Sequence, residues 1–297
     1  MSAGEPASKR EPASTGGPAS TGGPASTGGP ASTGGLVVAV LGLGEAGSLI
    51  AADLCAAGAV VRGFDPRVPA SGGVTMCSSD AEACRGASIV LSLTCAHEAR
   101  DALISALPGI GGSAVYADLN TASSQLKAEL AALAEGAGVA FTDVAMMSPV
   151  PGNGLRTPML ACGPAAGQFA RILGALGASV DVLPGPPGAA ADRKLVRSVF
   201  YKGLAAAAIE SLRAARAAGC EDWLRENIRH ELTIASATTL DRLEQGSVRH
   251  AVRRADEMNA ATELLEQLAV PPRIASASAQ WLGQLMAEQP SNTPPEP

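Results

Sequence analysis

Gly42, Gly44 and Gly47 stand at GxGxxG spacing in the string GLGEAG, directly after the apolar run LVVAVL and at the opening of EAGSLIAADLCAAG. A turn of this kind can bring bare backbone and helix N-terminal amides to a diphosphate. Gly42 makes the tight turn, Gly44 removes a side chain where pyrophosphate approaches, and Gly47 lets the helix lie close on the strand. Leu43, Glu45 and Ala46 complete the turn; Glu45 suits the first turn of a helix but cannot itself bind phosphate. The spacing alone is a weak signal in a chain with 34 glycines. It is strengthened by Asp65, which ends the next apolar run about twenty residues on, where an acid that hydrogen-bonds a ribose belongs. Asp65 would repel a 2′-phosphate and so favours NAD, while Arg67, two residues on, could clamp that phosphate and keeps NADP open.

A second set lies in GAAADRKLVRSVFYKG, residues 188–203. On a helix, Lys194 and Ser198 are four residues apart, share a face and can address one substrate atom. A lysine in an alanine-rich interior helix needs a reason, and proton transfer supplies one, with a solvated lysine the alternative. Lys202 sits two turns farther, about 12 Å along the axis, either behind the site or lining the same cleft. Arg197 could bind a substrate anion or make an interdomain salt bridge.

These residues need elements to position them. Short Val- and Leu-rich runs at 36–41, 59–64, 88–93, 114–118, 139–144, 158–162 and 179–183 alternate with alanine-rich amphipathic stretches, which predicts a doubly wound, largely parallel sheet. Ligands bind along the carboxyl edge of such a sheet. Leu93, Thr94 and Cys95, ending the third run, are placed to line a cofactor. Asn120 and Thr121, after the fourth, are placed to reach nicotinamide or substrate, or else to cap the helix that follows. After PGPPG at 184–188 the pattern becomes almost uninterrupted helix, starting near Ala189 and stopping at Gly219. The expected fold is an α/β Rossmann domain (36–184) followed by an all-α C-terminal domain (185–289) for substrate and dimerisation. Residues 1–35, with four copies of PASTGG, and the proline-rich 290–297 have no apolar face to bury and are expected to be disordered tails.

Composition narrows the function. A formal net charge of −6, without a basic cluster longer than Arg253 and Arg254, argues against nucleic acid and against an anionic membrane surface. The six cysteines form no CxxC pair and the three histidines lack zinc-ligand spacing, so no metal is expected and the thiols should be reduced. With no long apolar run and no secretory leader, the expected compartment is the cytoplasm and the expected partner a small molecule.

Taken together, GLGEAG, FTDVAMMSPVPGNG (141–154) and the lysine segment resemble the superfamily of β-hydroxyacid and 6-phosphogluconate dehydrogenases, over roughly residues 36–285. The paired lysines, with Gly203 following Lys202, resemble its phosphogluconate-dehydrogenase-like NAD(P)-binding oxidoreductase subgroup. The resemblance implies a Rossmann domain joined by a long helix with a catalytic lysine to a helical domain. FTDVAMMSPVPGNG occupies the place of the family's DAPVSGG substrate loop, which makes Ser148 and Gly152 candidates to hold a carboxylate. In the lysine motif, usually KxxNN or KxxHN, Ser198 stands where the family carries an amide, so 6-phosphogluconate is not carried over as substrate. The implied reaction is hydride transfer between nicotinamide and a small, anionic hydroxy acid, with Lys194 moving the hydroxyl proton and Ser198 orienting the oxygen. Imine or carbonyl reduction on the same fold, and a non-catalytic dinucleotide-binding module, are the alternatives. The apolar stretch from Leu204 calls for cover on several sides, and a homodimer, which the resemblance also implies, would provide it.

Overall fold

The computed structural model describes residues 35–288. The C-terminal tail, and all but the last residue of the repeat tail, lie outside the described residues.

Every apolar run of the first half forms a strand: β1 (Val37–Leu41), β2 (Val60–Phe64), β4 (Ile89–Ser92), β5 (Val115–Asp118), β6 (Ala140–Met146), β7 (Met159–Cys162) and β8 (Val180–Val182). A two-residue strand unanticipated from sequence, β3 (Thr75–Met76), pairs with β2 at the edge, so the run ending in Leu93 is the fourth strand, not the third. The strand order is β3-β2-β1-β4-β5-β6-β7-β8. All pairs are parallel except β6 with β7. That exception follows from the connection, which has no crossover helix to carry the chain back to the other end of the sheet.

Alternation along each strand feeds two cores. Val38, Val40, Ile89, Leu91 and Val115 face α1 (Glu45–Ala56) and α5 (Ala166–Ala175). Ala39, Leu41, Val90, Tyr116 and Phe141 face α2 (Asp80–Cys84), α3 (Ala99–Ala106) and α4 (Ser124–Gly136). The large fully buried groups here are mostly aliphatic, as the 3% aromatic content requires.

The second half is helical: α6 (Ala189–Ala217), α7 (Glu221–Ile234), α8 (Ala237–Arg249), α9 (Ala251–Gln267) and α10 (Arg273–Ala287). Gly219, at φ +75°, ends α6 in the left-handed conformation that the sequence suggests. A small core of Ala214, Leu265 and Ala275 joins α6, α9 and α10. Glu210 locks the start of α10 by accepting from the amides of Ile274 and Ala275 at 2.9–3.0 Å. Within one chain α6 is covered at its ends: Ala190, Ala191, Ala214 and Ala215 are buried. Val199, Phe200, Leu204 and Ile209 between them are exposed. Among the described residues no helix is long and apolar enough to cross a membrane.

Candidate active site

The glycine turn has the geometry its spacing predicts. Gly42 sits at φ +89°, and a Cβ there would lie 2.5 Å from the Leu93 carbonyl oxygen. A Cβ on Gly47 would meet the Gly42 carbonyl oxygen at 2.0 Å, so α1 can start against the turn only without one. At Gly44 a Cβ would meet nothing within 4 Å. That open space, in front of the first amides of α1, is where a diphosphate fits. Gly42, Gly44, Asp65, Arg67, Leu93, Thr94 and Cys95 line one cleft of about 520 Å³. Leu43 is buried beneath the turn, whereas Glu45 faces outward.

Asp65 is 9% exposed and fastens this region. Its Oδ2 accepts from the Leu43 amide at 2.8 Å, and its Oδ1 from the amides of Arg67 and Val68 at 2.8 and 3.0 Å. Burial works against its ionisation, but these amide hydrogen bonds and the Arg67 charge outweigh it and hold the carboxyl below its usual pKa. Arg67 reaches to Glu98, with Nη2 2.8 Å from Oε1. Cys95 donates to Glu98 Oε2 at 2.9 Å and lies 3.4 Å from His97 Nε2. Cys95, His97 and Glu98 thus bring three potential metal donors together. Glu98 is already engaged by Arg67, and its hydrogen bond with Cys95 raises the thiol's pKa and keeps the proton on sulfur.

Deeper in, a row of buried polar residues crosses the sheet one position per strand: Ser92 on β4, Asp118 on β5, Asp143 on β6 and Cys162 on β7. Lys127 of α4, fully buried, lies over the middle of the row. Its Nζ is 2.7 Å from Asp118 Oδ2 and 2.9 Å from Asp143 Oδ1, and donates to the Asp118 carbonyl oxygen at 2.8 Å. Asp118 Oδ1 in turn accepts from Asn120 Nδ2 at 2.5 Å. Asn120 Nδ2 also contacts Ser92 Oγ and Thr94 Oγ1, at 3.1 and 3.3 Å, which ties it to the cofactor cleft. The carboxylate fixes which way the amide faces, and Asn120 Oδ1 is left buried without a hydrogen-bond partner.

On the other side, Asp143 Oδ2 accepts from the amides of Gly188 and Ala191 at 3.0 and 3.1 Å, capping the first turn of α6. Lys194 follows one turn later, half-buried, with Ser198 half-buried on the same face. Lys194 forms no ion pair or hydrogen bond among the described residues. Burial pushes its pKa down, as do the charges of Lys127, Lys202 and Arg197, with Asp143 acting in the opposite sense. Lys202 and Arg197 are exposed, and the Arg197 guanidinium stacks over Tyr201, 4.1 Å from the ring centroid, rather than making a salt bridge.

Three other expected residues stand on loops. Thr121 is exposed, and the helix cap is supplied by Ser123, whose hydroxyl accepts from the Leu126 amide. Ser148, half-buried, follows the end of β6; Gly152, at φ +83°, is exposed. The amides of Asn153 and Gly154 donate to the Val150 carbonyl oxygen, and that of Leu155 to Asp53 of α1. Much of the backbone expected to cradle a carboxylate is therefore committed to the loop itself. Sequence reasoning missed Lys127, Asp118 and Asp143. A signal existed: of the 22 basic residues only four are lysines, and three of those are Lys127, Lys194 and Lys202.

Residues 37–181 match the family described as the NAD binding domain of 6-phosphogluconate dehydrogenase, and residues 215–285 match a domain of unknown function, DUF1932. No match appears among curated proteins. Among solved structures, a conserved hypothetical protein from Sinorhizobium meliloti 1021 is 27% identical over 87% of this chain and 91% of its own, with a TM-score of 0.55. A conserved protein of unknown function, described as similar to 3-hydroxyacid dehydrogenases, is 25% identical over 85% of this chain and 98% of its own, with a TM-score of 0.55. An imine reductase from Myxococcus stipitatus in complex with NADP+ shares the fold at 18% identity, over 84% of this chain and 94% of its own, with a TM-score of 0.72. Residues 37–181 are thus an NAD-binding domain of the 6-phosphogluconate dehydrogenase type, followed by the DUF1932 helical segment.

Proposed function

We propose that the protein is an NAD-dependent oxidoreductase acting on a small, anionic hydroxy acid, with Lys194 as the proton-transfer residue. The observation that carries this reading is an ammonium without a counter-ion, half-buried near the carboxyl edge of a sheet whose glycine turn leaves room for a diphosphate. When bound, the nicotinamide ring supplies or accepts the hydride. Lys194 Nζ takes the hydroxyl proton in oxidation and returns it in reduction, and its depressed pKa suits it to exchange that proton nearer neutrality than an ordinary lysine. Ser198, one turn on, orients the same oxygen. Asn120 Oδ1, buried and unpartnered, is positioned by Asp118 to accept from a ligand N–H or O–H. Arg197 and Lys202 add positive charge along the same helix, which favours an anionic substrate. Ser148 and Gly152 complete its enclosure from the loop after β6.

NAD is the preferred coenzyme in this reading because the cleft is lined by Asp65, Asp80, Glu98 and Asp101, with Arg67 drawn to Glu98. Such a lining repels a 2′-phosphate. The free cysteines fit an enzyme kept in the reducing cytoplasm.

The test is a panel of 3-hydroxy acids with NAD+ and of cyclic imines with NADH, followed at the absorption band of the reduced coenzyme. Turnover of a hydroxy acid is expected. In Lys194→Ala, kcat should fall by about 10²- to 10⁴-fold with coenzyme binding intact. Turnover of imines alone, or an unchanged kcat in the variant, would contradict the proposal.

A further inference from the structure

We infer that Lys127 is a positioning residue of the active site: its ammonium, clamped between Asp118 and Asp143, fastens the amide of Asn120 to the first turn of the helix that carries Lys194. This rests on the proposed role of Lys194. The clamp begins with register. Asp118 and Asp143 are paired positions on adjacent parallel strands, so their carboxylates project side by side from the same face, and both are fully buried. Two such charges repel unless a cation lies between them, and Lys127 touches both. Stability alone gives weak reason to build this, since a buried ion triad is commonly matched or bettered by apolar residues of similar volume.

Each carboxylate spends its other oxygen on a different part of the site. Asp118 Oδ1 holds Asn120 Nδ2, turning Asn120 Oδ1 free. Asp143 Oδ2 holds the amides of Gly188 and Ala191, the latter three residues before Lys194. A shift of Lys127 would therefore reach both groups at once.

The choice of lysine is itself informative. The chain has 18 arginines and four lysines, and all three lysines among the described residues belong to this cluster. A compact ammonium is a point charge that reaches both carboxylates at once, and it is used here in a chain that otherwise favours arginine. Four charged groups act on Lys194: Lys127 from α4, Arg197 and Lys202 from α6, and Asp143 from β6. Lys127 is the strongest of them, and it favours the neutral amine that accepts a proton.

The test needs no substrate. The pH dependence of Lys194 acylation by acetic anhydride, read by peptide mass spectrometry on the full chain, reports the amine's own titration. In the charge-balanced double variant Lys127→Gln with Asp118→Asn, the inflection should rise by about one pH unit. In Asp118→Asn alone, which keeps the ammonium, it should not rise. An inflection unmoved in the double variant, or raised in both, overturns the inference. Should the double variant not fold, the apolar pair Lys127→Met with Asp118→Leu decides: a rise supports the inference and an unmoved inflection overturns it. Turnover surviving Lys194→Ala would instead strike the catalytic reading, whatever the labelling shows.

Discussion

At Lys194 the chain places an ammonium among three other cations with one opposing carboxylate and partial burial, an arrangement that costs stability and so needs a functional return. Its pKa in the fold lies below the ordinary value of 10.5. The unfolded chain therefore binds the proton more tightly. The resulting penalty on folding is complete below the folded-state pKa and fades as pH climbs toward 10.5. Lys194→Met should accordingly melt at a higher temperature than the parent near neutral pH, with the gain shrinking as the solution is made alkaline. A variant that melts lower throughout would show the lysine to be structural. Glu98 gives a second residue-scale prediction. Glu98→Gln frees Arg67 from its ion pair, and the ratio of kcat/KM for NADP to that for NAD should rise by roughly tenfold, the worth of one charge-assisted contact. An unchanged ratio would remove Arg67 from coenzyme selection.

Among the elements, α1 and α6 hold the two halves of the site, and each is fixed at its first turn. Gly47→Ala would press a methyl into the Gly42 carbonyl oxygen and move α1 off the turn; coenzyme affinity in a calorimetric titration should drop at least tenfold, about 1.4 kcal/mol. Asp143→Ala removes the cap of α6 and strands Lys127 with half its partners. A loss of about 3–5 kcal/mol in urea unfolding is expected, and a loss below ~1 kcal/mol would show the cap to be dispensable. The other strands were legible because buried parallel strands announce themselves as unbroken Val, Leu and Ala runs between turns. The exposed pair Thr75–Met76 carries no such run, and only pairing with β2 makes it a strand. Lys127 was hidden for a different reason. In SQLKAELAAL it reads as an ordinary helix lysine, and only the register of Asp118 against Asp143 reveals what it meets. The local acceptor of the Asn153 and Gly154 amides, the Val150 carbonyl, was not legible either, because it depends on a turn that composition does not specify.

Over the whole molecule, one face is well enclosed and the other is not. The Rossmann half has two full cores, whereas α7 and α8 bury no residue within one chain and Val199, Phe200, Trp223 and Trp281 stand exposed. A second copy is the expected cover, as the composition of α6 suggests. Light scattering should give twice the mass of 29.6 kDa, and Val199→Asp should lower it; a parent protein at the monomer mass would contradict this.

The account depends most on the seat for the coenzyme. Isothermal titration of NADH into the purified full chain measures it directly. Saturable binding that is lost in Gly47→Ala and kept in Lys194→Ala is the predicted result. A folded protein that takes up neither NADH nor NADPH would contradict it.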